Sequence, residues 1–375
     1  MKKRRSNGDK VVVSCNTKIK PPKERPMELI KYIGMDVHMA MTVIAVVNVD
    51  GKVVTEAIIE TKGSTILDFL KGQRGTLHVA FEEGIQAAWL YDLIRPHVAR
   101  VVVCDPRKLA AQNNKADKPD AKRLAELLRT NGLKPVYHGE HSTQAVKELG
   151  RSYAAIVSDG TRVKNRVKAL FRGRGISCPG SAVYSENDRQ QWLQSLDNAA
   201  VRARTSRLWK ELDFLMELRE ESEKELVAEA RRHAATKILQ SIPGIGPQRA
   251  AVILGVVATP HRFHTHKQFW TYCGLAVRST TSAEYELIQG QVSKSKRRAL
   301  VRGLNRNYNR TLKEAFKGAA ATGPWKSQFD AMVAKGTHPS LVLLTLSRKI
   351  ASITLAVWKK GERYDENKVK FTHAA

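Results

Sequence analysis

Cysteine is scarce in this chain. Four residues in 375 (Cys15, Cys104, Cys178 and Cys273) stand isolated, with no Cys-x-x-Cys pair among them. A disulfide framework or a zinc finger needs clustered thiols, so both are excluded and a reducing cytoplasm is the expected compartment. Acidic residues are short as well: 36 Asp+Glu stand against 64 Lys+Arg, a formal charge of +28. No apolar run approaches membrane-span length and no signal-peptide core follows the basic start, so the expectation is a soluble chain with no membrane partner.

Hydrophobic residues make up 42% of the chain, enough to bury real cores and to exclude a disordered basic tail. At 375 residues the chain exceeds what one core usually organises, so two or three domains are expected. A cationic surplus of this size repels itself unless a polyanion neutralises it, and nucleic acid is the commonest such partner. An anionic membrane fits poorly, because the basic residues are spread along the chain rather than gathered on one amphipathic helix.

Residues 1–28 read as a flexible basic arm, rich in Lys, Arg and Pro. Strands are predicted at Leu29–Met35, Met41–Val49 and Val53–Ile59, the last two joined by the Asp50-Gly51 hairpin signal. A helix over Ser64–Gln73, a strand at Thr76–Glu82, a helix at Gln86–His97 and a strand at Arg100–Cys104 follow, then an amphipathic helix over Lys118–Thr130. A three-strand meander followed by alternating helices and strands is the order of an α/β RNase-H-like fold, assigned here to residues 29–175. The stretch Thr143–Phe171 is helical and basic, carrying Arg162, Lys164, Arg166 and Lys168 as candidate phosphate contacts. Residues 176–238 form a helical spacer, either a coiled-coil dimer arm or a long helix packed on a neighbouring domain, with Asn187–Leu239 helical throughout. A mainly α domain is assigned to 239–360, with Ser293–Arg310 and Pro339–Trp358 read as further helices, and 361–375 is a tail.

Four carboxylates stand where chemistry would need them. Asp36 ends the first strand, Glu82 ends a later one, and Asp117 and Asp120 sit three apart at the start of a helix. Clustered carboxylates repel one another unless a divalent cation lies between them, and such cations activate nucleophiles at phosphodiesters. Glu83 competes with Glu82 for the role; strand alternation sends the two opposite ways, and Glu82 continues the strand.

Pro243-Gly244-Ile245-Gly246 between helices has the form of a helix-hairpin-helix turn, whose glycines Gly244 and Gly246 would bring backbone N–H groups to a DNA phosphate. Downstream, a hydroxyl run from Ser279 to Ser282 lies ahead of Lys294, Lys296, Arg297 and Arg298, a pairing of nucleophile and cations suited to phosphoryl chemistry. His261, His264 and His266 lack a fourth ligand at metal spacing and are read as loop residues.

These landmarks together resemble the insertion-sequence transposases related to the Piv pilin-gene invertase. The resemblance rests on Tyr32-Ile-Gly-Met-Asp36, Phe81-Glu82, Asp117-Lys-Pro-Asp120-Ala121, Ser241-Ile-Pro-Gly-Ile-Gly246, Cys273-Gly-Leu275 and Ser293-Lys294, in order from Tyr32 to about Trp358. It implies a RuvC-like DEDD domain in which Asp36, Glu82, Asp117 and Asp120 bind Mg²⁺, and a C-terminal domain in which Ser282 is the nucleophile, with Ser279, Thr280 and Thr281 close by. It further implies a DNA substrate, a structured bridge RNA as guide, a homo-oligomer (dimer or tetramer), and a bacterial or archaeal, nucleoid-associated location. The chain departs from the family pattern in Glu83-Gly84-Ile85 after the glutamate and in Ala283 after the serine. A hydrolytic nuclease of the Holliday-junction-resolvase type and a non-catalytic nucleic-acid-binding protein are the rival readings.

Overall fold

The computed structural model describes residues 29–106, 120–138, 143–280, 285–288, 291–294 and 300–368. The chain divides into two compact units, Met1–His138 and Gly139–Ala375. The first is mixed α/β and the second largely helical, the arrangement of an RNase-H-like domain followed by a helical region.

The first unit contains β1 (Ile30–Val37), β2 (Met41–Val47), β3 (Val53–Glu60), α1 (Gly63–Lys71), β4 (Thr76–Glu82), α2 (Ala87–Ile94), β5 (Arg100–Cys104) and α3 (Asp120–Arg129). The sheet order is β3-β2-β1-β4-β5, with the first three strands antiparallel and β4 and β5 parallel to β1. The β2–β3 turn forms because Asn48 Oδ1 accepts from the N–H groups of Asp50 (3.1 Å) and Lys52 (2.9 Å), while Gly51 takes φ +85°.

Period-2 alternation sorts the sheet into two faces. Ile33, Met35, Val79, Phe81 and Val103 point one way, into a core closed by Ile66 and Leu70 of α1 and Leu90 and Ile94 of α2. Ala80, Val102 and Cys104 point the other way, against Leu124 and Leu128 of α3. On that second face Gly34 lets α3 lie directly on β1: a Cβ at Gly34 would sit 1.9 Å from Ala121 O and 2.6 Å from Ala125 N. The far end of the helix is tied down where Arg129 Nη1 donates to Val49 O at 3.2 Å. Val49 follows Val47, which pairs with Tyr32 near the start of β1. Helix α3 therefore runs antiparallel to β1 and begins at the end where Asp36 stands.

The second unit is built from α4 (Gln144–Arg172), α5 (Arg189–Gln194), α6 (Ala199–Arg231), α7 (Ala234–Gln240), α8 (Pro247–Val257), α9 (His266–Tyr272), α10 (Arg310–Ala321), α11 (Lys326–Ala334) and α12 (Pro339–Lys360). Helices α4 and α6 form a long antiparallel pair, with Tyr153 facing Glu223 and Arg166 facing Glu211. One core occupies the root of this pair, where Val146, Leu226 and Ala230 join α8, α9, α10 and α12. A separate core fills its tip, where Val167, Phe171, Cys178, Val183 and Trp209 meet. By packing, α4 belongs to the second unit, whereas the sequence reading carries the first domain through residue 175.

Three expectations are corrected here. Asn187–Leu239 is not one helical run but three helices, because Asn198 caps α6 by accepting from Ala200 N and Val201 N, and a turn at Arg232–His233 ends it. Ser293–Arg310 is not a helix: Gln291–Lys294 and Leu300–Leu304 are strands (β8 and β9), partnered by Tyr285–Ile288 (β7) and Val277–Thr280 (β6). Gly303, at φ +77°, takes a conformation foreign to a helix interior. Pro339–Lys360 is long and apolar enough to cross a membrane. Yet Val342, Leu346, Ile350 and Leu355 are buried within the second unit's own core, the position of an internal helix.

Replacing Gly34 with alanine forces the α3 backbone off the sheet and is expected to cost about 3 kcal/mol of unfolding free energy. Gly160→Ala, in the interior of α4 where a Cβ meets nothing within 4 Å, is expected to raise stability by roughly 0.5–1 kcal/mol. Chemical denaturation of the two variants beside the parent checks both signs.

Candidate active site

The strand register decides what stands beside what. Met35 of β1 pairs with Phe81 of β4, so one step further Asp36 lies level with Glu82 at the carboxyl ends of adjacent parallel strands. Alternation places both on the face opposite Met35 and Phe81, the face that α3 covers. The main chain of Asp120 opens α3 at that same end. Ligand sites of open α/β sheets lie in this crevice, outside the carboxyl ends of the strands.

Two histidines that sequence reading passed over pair with acids at these strand ends. His38 Nε2 lies 3.1 Å from Asp36 Oδ2, just past the end of β1. His138 Nε2 lies 2.6 Å from Glu83 Oε2, and its ring packs against Tyr91 at 5.0 Å between centroids. The first could have been noticed from its position two residues after Asp36; the second is 55 residues from its partner, beyond any local signal. Glu83 is thus committed to the α2 side of the sheet, with His138 and Tyr91, and away from Asp36.

Cys104 is level with Glu82 in the β4–β5 register and lies buried against Leu124 of α3, its Sγ 3.4 Å from Phe81 O. Burial, with a smaller contribution from the Glu82 carboxylate, pushes its thiol up to about 12. A thiol held neutral is neither a nucleophile nor a soft metal ligand. The acids at this end, Asp36 and Glu82, carry hard oxygen donors. Among the described residues no set of three or more His, Cys, Asp or Glu side chains stands together as a metal cage.

Asp117, Ser282, Arg297 and Arg298 lie outside the described residues, as do Thr281 and the side chains of Asp120 and Lys294. Ser279 and Thr280 lie in β6, their main chains paired with Val301 and Leu300 of β9. The cations of α4 have partners within the chain: Arg162 pairs with Asp159, and Arg166 reaches Glu211 at 3.4 Å. Lys164 and Lys168 sit over the Tyr184 ring at 5.6 and 5.5 Å, and Lys168 donates to Gly180 O at 2.6 Å. Gly244 takes φ +83° and packs on α10, where a Cβ would meet Ala319 O at 2.7 Å; its carbonyl accepts from Arg249 at 3.1 Å. Gly246 is exposed at the start of α8, beside a cleft that also exposes Glu220 and Glu223 of α6.

Two family profiles match the chain and together span more than half of it: a DEDD transposase profile over residues 33–174 and one described as the transposase IS116/IS110/IS902 family over residues 236–321. The chain belongs to the IS110/IS902 family of transposases. Similar curated relatives are named as transposases of insertion sequence elements. The transposase for insertion sequence element IS1111A of Coxiella burnetii is 26% identical over 48% of this chain and 50% of its own length. That for IS1533 of Leptospira borgpetersenii is 26% identical over 44% of the chain and 50% of its own length. The transposase for IS1328 of Yersinia enterocolitica is 26% identical over 67% of the chain and 73% of its own. The chain thus spans about half the length of the first two relatives. The DEDD profile covers Asp36, Glu82, Asp117 and Asp120 together, and the second profile covers Ser282.

The Cys104 thiol should resist iodoacetamide at pH 8 while the chain is folded and react once it is denatured. Its folded value is raised, so the folded chain keeps a proton that the unfolded chain loses. The stability this confers is complete below the ordinary value of 9.0 and is lost as pH climbs toward 12. Alkaline unfolding should be correspondingly shallower in Cys104→Ala.

Proposed function

We propose that this chain is the transposase of an insertion sequence, cutting and rejoining DNA through a carboxylate site and a serine nucleophile, as a homo-oligomer guided by a structured RNA. The observation that carries the reading is the convergence of Asp36 and Glu82 at adjacent strand ends, on the face where α3 begins with Asp120. Asp117, three residues before Asp120 in sequence, completes the set of four. Their oxygen donors suit Mg²⁺, which when bound supplies stabilisation of negative charge on phosphate oxygens.

The chain's own residues do the rest. The imidazole beside Asp36 fixes the orientation of that carboxylate, and the Glu83–His138 contact holds the end of β4 so that Glu82 keeps its place beside Asp36. Ser282 Oγ attacks phosphorus; an O–P bond forms, the bond to the 3′-oxygen breaks, and the serine proton leaves while the departing oxygen gains one. Rejoining reverses these events with a different 3′-oxygen. Affinity for the DNA and RNA backbones comes from the +28 surplus, including Arg162 and Arg166, whose acidic partners are exposed and cheaply exchanged for phosphate.

The test combines the purified chain, its co-purifying RNA and Mg²⁺ with DNA spanning the ends of the element that encodes it. A denaturant-resistant protein–DNA species is expected from the parent and from Ser279→Ala, and is expected to vanish in Ser282→Ala and Asp36→Ala. Cleavage without an adduct would hand the case to a hydrolytic nuclease. Glu82→Ala should lower the rate at least 10³-fold, the scale of losing a group that acts on the transition state. Glu83→Ala, which loses only the histidine contact, should stay within about tenfold of the parent. Arg162→Gln with Arg166→Gln should reduce the slope of log affinity against log salt by about 2, close to one per phosphate released.

A further inference from the structure

Helix α6 leaves one face open along most of its length, and that face is charged in two blocks. Its other side, with Leu208, Trp209, Leu212 and Leu226, is taken up by the two cores of the helical unit. On the open side Arg204, Arg207 and Lys210 are exposed, then Phe214, which is 60% exposed, then Glu217, Glu221 and Glu225, all exposed. At roughly 3.6 residues per turn these side chains leave the helix within about a quarter turn of Phe214, as one stripe. The basic residues follow one another at steps of three and the acids at steps of four, so each block repels itself within the helix. A face made only to be solvated would interleave the signs at that spacing. Among the described residues none of these six charges has an ion-pair partner, whereas Glu211 on the flank is met by Arg166.

We propose that this stripe is a contact between two copies of the chain, their α6 helices laid antiparallel across a two-fold axis at Phe214. The proposal deepens the homo-oligomer part of the transposase reading and rests on it. What selects a second copy is that the face is complementary to itself. A two-fold axis sets a residue before Phe214 against one at the matching distance after it, on the same flank. Lys210, about 6 Å before Phe214 along the helix, meets Glu217 of the second copy, about 4.5 Å after it. Arg207 meets Glu221, each about 10.5 Å out, and Arg204 meets Glu225, at about 15 and 16.5 Å. The axis doubles each contact, so every charge of the stripe is answered by its opposite. Phe214 meets its own copy at the centre, with the half-buried Leu218 one turn away. Other occupants fail on one block or the other. A nucleic-acid backbone running along α6 meets the three glutamates, a peptide of either sign meets its like, and a parallel copy sets like against like.

The experiment is sedimentation of the full chain, freed of nucleic acid, over a range of concentrations. Two variants reverse one block each: Arg207→Glu with Lys210→Glu, and Glu217→Lys with Glu221→Lys. Each alone faces like charges across the axis and is expected to self-associate at least tenfold more weakly than the parent. Mixed in equal amounts, the two variants restore every opposite-sign contact and should associate as tightly as the parent. Phe214→Cys, on a Cys15→Ala background, brings two thiols together at the axis and should form a disulfide-linked dimer under oxidised glutathione. Ala228→Cys, exposed on the same stripe but about 40 Å from its copy, should not. Variants that associate as the parent does, or a mixture no stronger than either variant alone, overturn this face and leave an oligomer built through another. Linking of Ala228→Cys as readily as Phe214→Cys does the same. A parent that stays monomeric at every concentration removes the homo-oligomer reading and takes this proposal with it.

Discussion

The first unit is organised by one contact between backbones. Helix α3 rests on β1 with no side chain between them at Gly34, because Ala121 O and Ala125 N occupy the space a Cβ would need. Close packing of this kind admits no intermediate solution: the helix is either seated on the strand or displaced by more than an ångström. Seated, it buries Leu124 and Leu128 against Ala80, Val102 and Cys104, and it delivers its first turn to the end of the sheet where Asp36 and Glu82 stand. The positive end of the helix then faces a region of negative charge, which offsets part of the repulsion between neighbouring carboxylates.

The helical unit uses glycine in the same way. Gly244 closes on α10 at Ala319 O and Gly255 closes on α4 at Val146 O, where a Cβ would stand 2.7 and 2.9 Å away. The Ile-Pro-Gly-Ile-Gly turn is therefore explained first by packing: Ile242 and Ile245 are buried, and Trp325 Nε1 donates to Pro243 O at 2.7 Å. Of the two glycines in that turn, Gly246 alone faces solvent with open space beside it. A backbone phosphate contact at this turn would fall to the start of α8, not to Gly244.

Much of the α/β unit was legible in the sequence because its signals are local. The alternation of β-branched residues gave β1 to β5 within two or three residues, the Asp50-Gly51 turn was announced by its residues, and strand parity alone separated Glu82 from Glu83. The β6–β9 segment was misread because its strands are only four or five residues long, so no period could develop, and the sequence between β8 and β9 is a run of Ser, Lys and Arg. The site was half legible. Asp36 and Glu82 declare themselves as acids at strand ends, whereas the Glu83–His138 contact and the neutral thiol of Cys104 depend on pairing across the fold.

The antiparallel pair of α4 and α6 has a consequence of scale. Val146 at its root and Phe171 at its tip belong to different cores, separated along the helix axis by about 40 Å. A rotation of 10° about the seat of Gly255 on α4 would carry the tip through about 7 Å, roughly two nucleotide steps along a DNA strand. The pair is a lever whose short arm is a glycine contact and whose long arm ends in its own hydrophobic cluster, so that a force on the surface around that cluster acts on the root with a mechanical advantage.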